Sequence, residues 1–201
     1  MTSITYTCLL TLIATNKWGT ISKICNACSD REYESILDTA FKSNNTYLLY
    51  IVLNSIPKRN EKDHDKMNTL MVAAMNRYLS EGNFEDDNSY RVFRLFLMHV
   101  DSEDIHNLDV RPEQSWYKVF VHSALTLDED GALYLMHFWK DKISVANAEL
   151  ILDICQLGTN TVEAIRLLEY FPEGFHKTLS PERKEIYDEL CDCNHVDNLW
   201  Y

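Results

Sequence analysis

Short apolar segments centred on a small residue recur along the chain, and each is followed by a second, more apolar segment with helical spacing. The first segments are LLTLIATNK, SILDTAFKSN, TLMVAAMNRY, VFVHSALTL and LILDICQLG, and their small residues are Ala14, Ala40, Ala74, Ala124 and Cys155. Successive small residues are 26, 34, 50 and 31 positions apart. This recurrence predicts an all-α chain in which pairs of helices stack as an α-solenoid.

The pattern predicts a single helical repeat domain over 1–201 with about five stacked helix pairs. The units are 5–30, 31–66, 67–112, 113–146 and 147–178. A C-terminal capping helix is expected in 179–201, where Trp200 and Tyr201 are either a contact of the cap or an exposed recognition tag. The connections 57–67 and 101–115 are long and charged, so we expect them to project as fingers.

Composition favours helices and an unprocessed cytoplasmic protein. The chain has 201 residues, of which 46% are hydrophobic, and it contains only five Gly and four Pro, too few for a protein made of many hairpins. No apolar run reaches the roughly 18 residues that cross a bilayer. The apolar stretch near the N-terminus has no Lys or Arg before it, so a signal peptide is not expected.

Charge is distributed unevenly between the two halves of the chain. Residues 1–100 carry equal numbers of acidic and basic side chains, so the net charge of −12 belongs to residues 101–201. Such a half would repel a phosphate backbone, and direct binding of nucleic acid is not expected. Two interpretations remain open: solvated helix faces that keep the chain dispersed, or an acidic surface that attracts a basic partner by imitating nucleic acid.

Cysteine and histidine spacing allows a zinc site in principle. Cys25 and Cys28 form a C-x-x-C pair, and Cys191, Cys193 and His195 follow near the C-terminus. In a stack of helix pairs these groups lie at opposite ends, so we expect free thiols and no metal or cofactor. No phosphate-binding loop, dinucleotide-binding motif or zinc-protease motif occurs, and the chain is not expected to be an enzyme. An enzyme using Cys155 as a nucleophile is the least favoured alternative.

One stretch resembles a known repeat. The segment MNTLMVAAMNRYL followed by YRVFRLFLMHV is similar to an ankyrin repeat, with Thr69 and Leu70 where the family's Thr-Pro-Leu-His begins, and Ala73 and Ala74 where its paired alanines fall. The resemblance covers roughly residues 5–175. The Pro of the Thr-Pro pair is absent and the units vary in length, so a HEAT-like array stays open as an alternative.

The resemblance implies a non-enzymatic scaffold that binds another protein through its fingers and its concave face. Stand-alone ankyrin-like chains with few repeats are similar to viral, phage or bacterial factors that inhibit or recruit a host defence or signalling protein, in the host cytoplasm or nucleus. The acidic mimic of nucleic acid remains the alternative function. The residues expected to bind the partner are those of the fingers and the helix start that follows: Lys58, Arg59, Asp109, Arg111, Trp116 and Tyr117.

Overall fold

The computed structural model describes most of the chain in nine stretches. These are residues 2–43, 45–55, 64–81, 87–112, 114, 116–127, 131–139, 143–156 and 161–197. Lys58 and Arg59, which were predicted to bind a partner, lie outside the described residues, and so do Trp200 and Tyr201.

The described residues form α-helices and short 3₁₀ helices, without a strand among them, so the predicted all-α class is confirmed. No described helix has both the length and the apolar content that crossing a bilayer requires. The α-helices are α1 (Thr2–Ala14), α2 (Trp18–Ala27), α3 (Asp30–Lys42), α4 (Thr46–Leu53), α5 (His64–Glu81), α6 (Asp87–Leu97), α7 (Tyr117–Leu125), α8 (Gly131–Trp139), α9 (Val145–Cys155), α10 (Thr161–Leu168) and α11 (Pro181–Asp197). Two 3₁₀ helices occupy Ser102–Asn107 and Phe175–Thr178.

Polar side chains mark where several helices begin. At the start of α3, the Glu32 carboxylate accepts hydrogen bonds from the backbone N–H of Ser29 at 2.9 Å and from its hydroxyl at 2.7 Å. These bonds lower the pKa of Glu32. The side-chain oxygen of Asn45 accepts from the backbone N–H of Leu48 at 3.0 Å and so caps α4. Each bond satisfies a group that would otherwise be left unpaired at a helix terminus.

The helices lie in two rows, each defined by contacts between successive members. The first row runs through α1, α3, α5, the 3₁₀ helix Ser102–Asn107, α8 and α10. The second row runs through α2, α4, α6, α7, α9 and α11. Along most of the chain, a helix therefore packs on the helix two positions further on, with the 3₁₀ helix taking one position in the first row.

Four of the five recurring small residues are buried. Ala40, Ala74, Ala124 and Cys155 are buried between helices. Ala14, the last residue of α1, is exposed, so it does not form a packed seam. Ala74 and Ala124 also lie in different rows, since α5 belongs to the first row and α7 to the second. The prediction that these two helices are equivalent first members of their units is therefore wrong.

Residues 101–112 do not project as a finger, contrary to prediction. Ile105, Leu108 and Val110 are buried, and they pack the segment against its neighbours. Side-chain amides on α5 hold the segment at both ends. Asn68 donates to the carboxylate of Asp101, while Asn76 donates to the carbonyl of Asn107 at 3.0 Å and accepts from the N–H of Asp109 at 2.8 Å. Buried apolar side chains and satisfied backbone groups explain why the segment packs against the neighbouring helices instead of projecting from them.

Aromatic rings pack together between α6, α7 and α8. The ring centroids of Phe93 on α6 and Phe120 on α7 are 5.6 Å apart, and those of Phe120 and Phe138 on α8 are 4.8 Å apart. Trp116 lies 6.1 Å from Phe93. Phe93 and Phe120 are fully buried, so this cluster joins α6, α7 and α8 through apolar contact.

Candidate functional site

Of the four predicted partner-binding residues that the structure describes, two are exposed and two are buried. Asp109 and Arg111 are exposed and form an ion pair, in which the Arg111 Nε donates to Asp109 Oδ1 at 3.0 Å. Trp116 and Tyr117 are 4% and 5% exposed. Their rings therefore pack inside the chain, and the structure gives them a structural role at the start of α7.

Tyr117 organises a buried polar network that joins three helices. Its hydroxyl oxygen accepts hydrogen bonds from the Trp139 indole N–H at 2.7 Å and from the Asn147 amide at 2.9 Å. Asn147 also accepts from the backbone N–H and hydroxyl of Ser144 and so completes the cap of α9. Burial raises the pKa of Tyr117, although the two donated bonds oppose the rise.

Replacing Tyr117 with Phe is expected to destabilise the fold by about 1–3 kcal/mol, because two buried donors would lose their acceptor. Urea unfolding followed by circular dichroism measures this loss. Tyr187→Phe is a suitable control, because Tyr187 is only half-buried. An unchanged free energy of unfolding in Tyr117→Phe would show that the network does not stabilise the native state.

A groove of about 530 Å³ lies beside this network. Its lining includes His106, Arg111, Tyr117, Trp139, Asn147 and Leu150. The polar atoms that reach it are largely committed: Asp109 neutralises Arg111, and Tyr117 and Asn147 bond to each other. This groove therefore offers few unmet interactions to a ligand.

A second groove, of about 470 Å³, lies between α4 and α6. We call it the Tyr–Arg groove and define it by Tyr47, Tyr50, Arg91, Arg94, Leu95 and Met98. Tyr47, Tyr50 and Met98 are 53%, 48% and 59% exposed, which is unusual for large apolar side chains. The Tyr47 ring packs edge-on against Trp18 of α2 at 4.8 Å, so its position is fixed by the second row.

Charge distinguishes the Tyr–Arg groove from the rest of the chain. Arg91 and Arg94 are exposed, and neither forms an ion pair with any side chain that the structure describes. No acidic side chain is among its described lining residues. At one end, the Tyr90 hydroxyl donates to Thr126 Oγ1 at 2.7 Å, which ties α6 to the end of α7. The groove therefore combines fixed helices with two cations that no described acidic side chain neutralises.

Sequence reasoning missed this groove although its signal is present. Tyr47 and Tyr50 are three positions apart, and Arg91, Arg94 and Met98 follow three- and four-residue spacing, so each set shares one helix face. Apolar residues in α4 and α6 indicate that each helix is partly buried, but they do not show which face of the helix stays uncovered. Only their neighbours in the second row show that one face of each helix is left open.

The cysteines and histidines whose side chains the structure describes form no metal-ligand cluster, and the most strongly perturbed thiol is less reactive than usual. Burial raises the pKa of Cys155 to about 11, which disfavours its thiolate. Burial lowers the pKa of His122, and Lys118 lowers it further. Cys25 lies on α2 and Cys28 directly follows that helix, so both are far along the rows from α11. No group of three potential metal ligands occurs among the described side chains, which do not include those of Cys193 and His195.

Comparisons with family models, curated proteins and solved structures find no match to this chain. The ankyrin resemblance is therefore carried by the residues alone. Its consequences for function are proposals, which depend on the geometry of the Tyr–Arg groove.

Proposed function

We propose that the chain is a non-enzymatic protein-binding module. Its architecture would be an α-solenoid of ankyrin-like repeats. It binds a partner protein and inhibits or recruits it. We further propose that the chain is a viral, phage or bacterial factor that acts in the cytoplasm or nucleus of a host. The two rows of helices support the repeat architecture, because each helix packs mainly on near neighbours.

The observation that carries this proposal is the composition of the Tyr–Arg groove. Tyrosine, arginine and methionine are enriched in protein interfaces, and truncating Tyr or Arg often weakens binding most. Here Tyr50, Arg94 and Met98 are exposed together on two packed helices. A rigid support lowers the entropy lost on binding, so such a surface suits recognition of another protein.

We expect Tyr50→Ala to weaken partner binding at least about tenfold, equivalent to roughly 1.4 kcal/mol. The measurement is capture of proteins from host extract on immobilised wild-type and variant chains, followed by quantitative mass spectrometry and titration of the captured protein. The variant should stay folded, because exposed substitutions change stability by about 0.5 kcal/mol or less.

Tyr170→Ala is the matched control, because Tyr170 is another tyrosine of similar exposure, at 57%, and it lies after α10. It should retain the partner as the wild type does. Equal retention by Tyr50→Ala, or no protein retained specifically by the wild type, would contradict the proposal. Capture of a basic nucleic-acid-binding protein that is lost steeply with salt, and that depends on acids in residues 101–201, would favour the acidic mimic instead.

A further inference from the structure

We infer that the Tyr–Arg groove binds an acidic peptide segment that carries an aromatic or aliphatic anchor, an inference that rests on the proposed function and names its partner chemistry. The groove has two cations and an apolar floor, and the chain supplies no described acid to it. The matching ligand therefore needs carboxylates beside a large apolar side chain.

The two arginines are conspicuous in an acid-rich chain. Acidic residues number 31 and basic residues 19, so a carboxylate is the commonest charged neighbour available. Arg77 donates to Asp38 at 2.9 Å, and Arg183 binds Asp153 through two bonds of 3.0 and 3.1 Å. Arg91 and Arg94 have no such partner among the described residues. Their guanidinium groups remain able to bind carboxylates in the two-bond geometry that Arg favours.

The apolar floor sets the second requirement. Tyr47 and Tyr50 come from α4, which carries no charged residue, Leu95 comes from α6, and Met98 directly follows α6. Methionine adapts its shape to different apolar groups, and aromatic rings provide large contact area with little lost freedom. The groove volume is within the range of ligand pockets, so it holds one or two large side chains rather than a folded domain.

Groove length indicates a short segment. The eight residues of α4 extend for about 12 Å along the helix axis, and the eleven residues of α6 for about 16 Å. Such a surface contacts two or three turns of a helix, or a few residues of an extended peptide. A short linear segment of a partner therefore fits the groove.

The charge of the whole chain excludes two other ligand classes. A basic segment would meet Arg91 and Arg94, and no acid among the described lining residues would compensate their charge. A nucleic acid presents many phosphates and would be repelled by the net charge of −12, most of it outside the groove. A short acidic peptide carries few charges, and its repulsion by distant acids is screened beyond roughly 8 Å at physiological salt.

To test the inference, random dodecapeptides displayed on phage are selected for binding to the full chain at physiological salt. The affinities of synthetic copies of the enriched peptides are then measured by fluorescence anisotropy. We expect the enriched peptides to be net acidic and to contain an aromatic or aliphatic anchor. The double variant Arg91→Glu, Arg94→Glu should bind them at least about tenfold more weakly. The double variant with Lys at both positions should bind with intermediate affinity, because it keeps charge but loses the two-bond geometry.

The double variant Lys177→Glu, Lys184→Glu is the matched control, because both lysines are exposed near α11 and the change in net charge is the same. It should bind within about twofold of wild type, since α11 lies three helices beyond α6 in the second row and salt screens distant charges. Enriched peptides that are basic or uncharged, equal binding by the arginine variant, or no enrichment would overturn the inference. So would a labelled single-stranded oligonucleotide that binds wild type and is lost in the arginine variant.

This result is separable from that of the host-extract experiment. A captured protein that depends on Tyr50 but contacts the groove through a basic segment would leave the proposed function intact and overturn the acidic-peptide inference. The absence of any captured protein would contradict the proposed function itself.

Discussion

Replacing Phe120 with Ala is expected to lower the free energy of unfolding by about 3–5 kcal/mol, the usual cost of removing a buried aromatic ring. Phe120 is fully buried and its ring contacts both Phe93 and Phe138, so three helices would border the resulting cavity. For a chain of this length, each 1 kcal/mol shifts the thermal midpoint by roughly 2–4 °C. Thermal and urea unfolding followed by circular dichroism measure the loss.

Leu133→Ala on α8 provides the control for this substitution. Leu133 is 41% exposed, and its truncation should change stability by about 0.5 kcal/mol or less. If Phe120→Ala lowers the free energy of unfolding by less than about 1 kcal/mol, the aromatic packing between α6, α7 and α8 is contradicted. Such a small effect would require the cavity to collapse almost completely.

Gly131→Ala is expected to destabilise the chain by about 3 kcal/mol, at the upper end of overpacking costs. Gly131 is the first residue of α8, and an added Cβ would overlap the carbonyl oxygen of Ala124 on α7 and lie 3.2 Å from its carbonyl carbon. Both are backbone atoms, so α7 and α8 would have to separate. Equilibrium urea unfolding measures the effect.

Gly19→Ala makes the same chemical change without the overlap. No atom lies within 4 Å of an added Cβ at Gly19 in α2, outside its own helix backbone and chain neighbours. This variant should be stabilised by about 0.4–1 kcal/mol, because Ala restricts the unfolded chain and favours the helix. Equal stability of the two variants would contradict the close contact between Gly131 and the backbone of Ala124.

Local patterns predict the helices well but not their order in space. Apolar spacing indicates a helix near each small residue, and Ala40, Ala74 and Ala124 are buried as expected. Residues 101–115, within the 50-residue step between Ala74 and Ala124, were predicted to form a projecting finger. Within it, Ile105 and Leu108 have the three-residue spacing of a packed 3₁₀ helix, but the surrounding charges hide this short apolar signal.

The candidate site was harder to predict because it depends on which faces remain uncovered. Trp116 is a frequent interface residue type, yet it is buried against Phe93. Tyr50 and Arg94 belong to different helices, far apart in sequence, and only the packing of α4 on α6 brings them to one groove. Sequence spacing shows which residues share a helix face, but the position of that face in the fold is a tertiary property.

The 3₁₀ helix Ser102–Asn107 determines the row in which each later helix lies. It fills one place in the first row, and this assigns α7, α9 and α11 to the second row. Removing this single element would leave α8 without the neighbour that it packs on in the first row. Shortening this chain, or grafting units from another, therefore preserves packing only when every later helix stays in its own row.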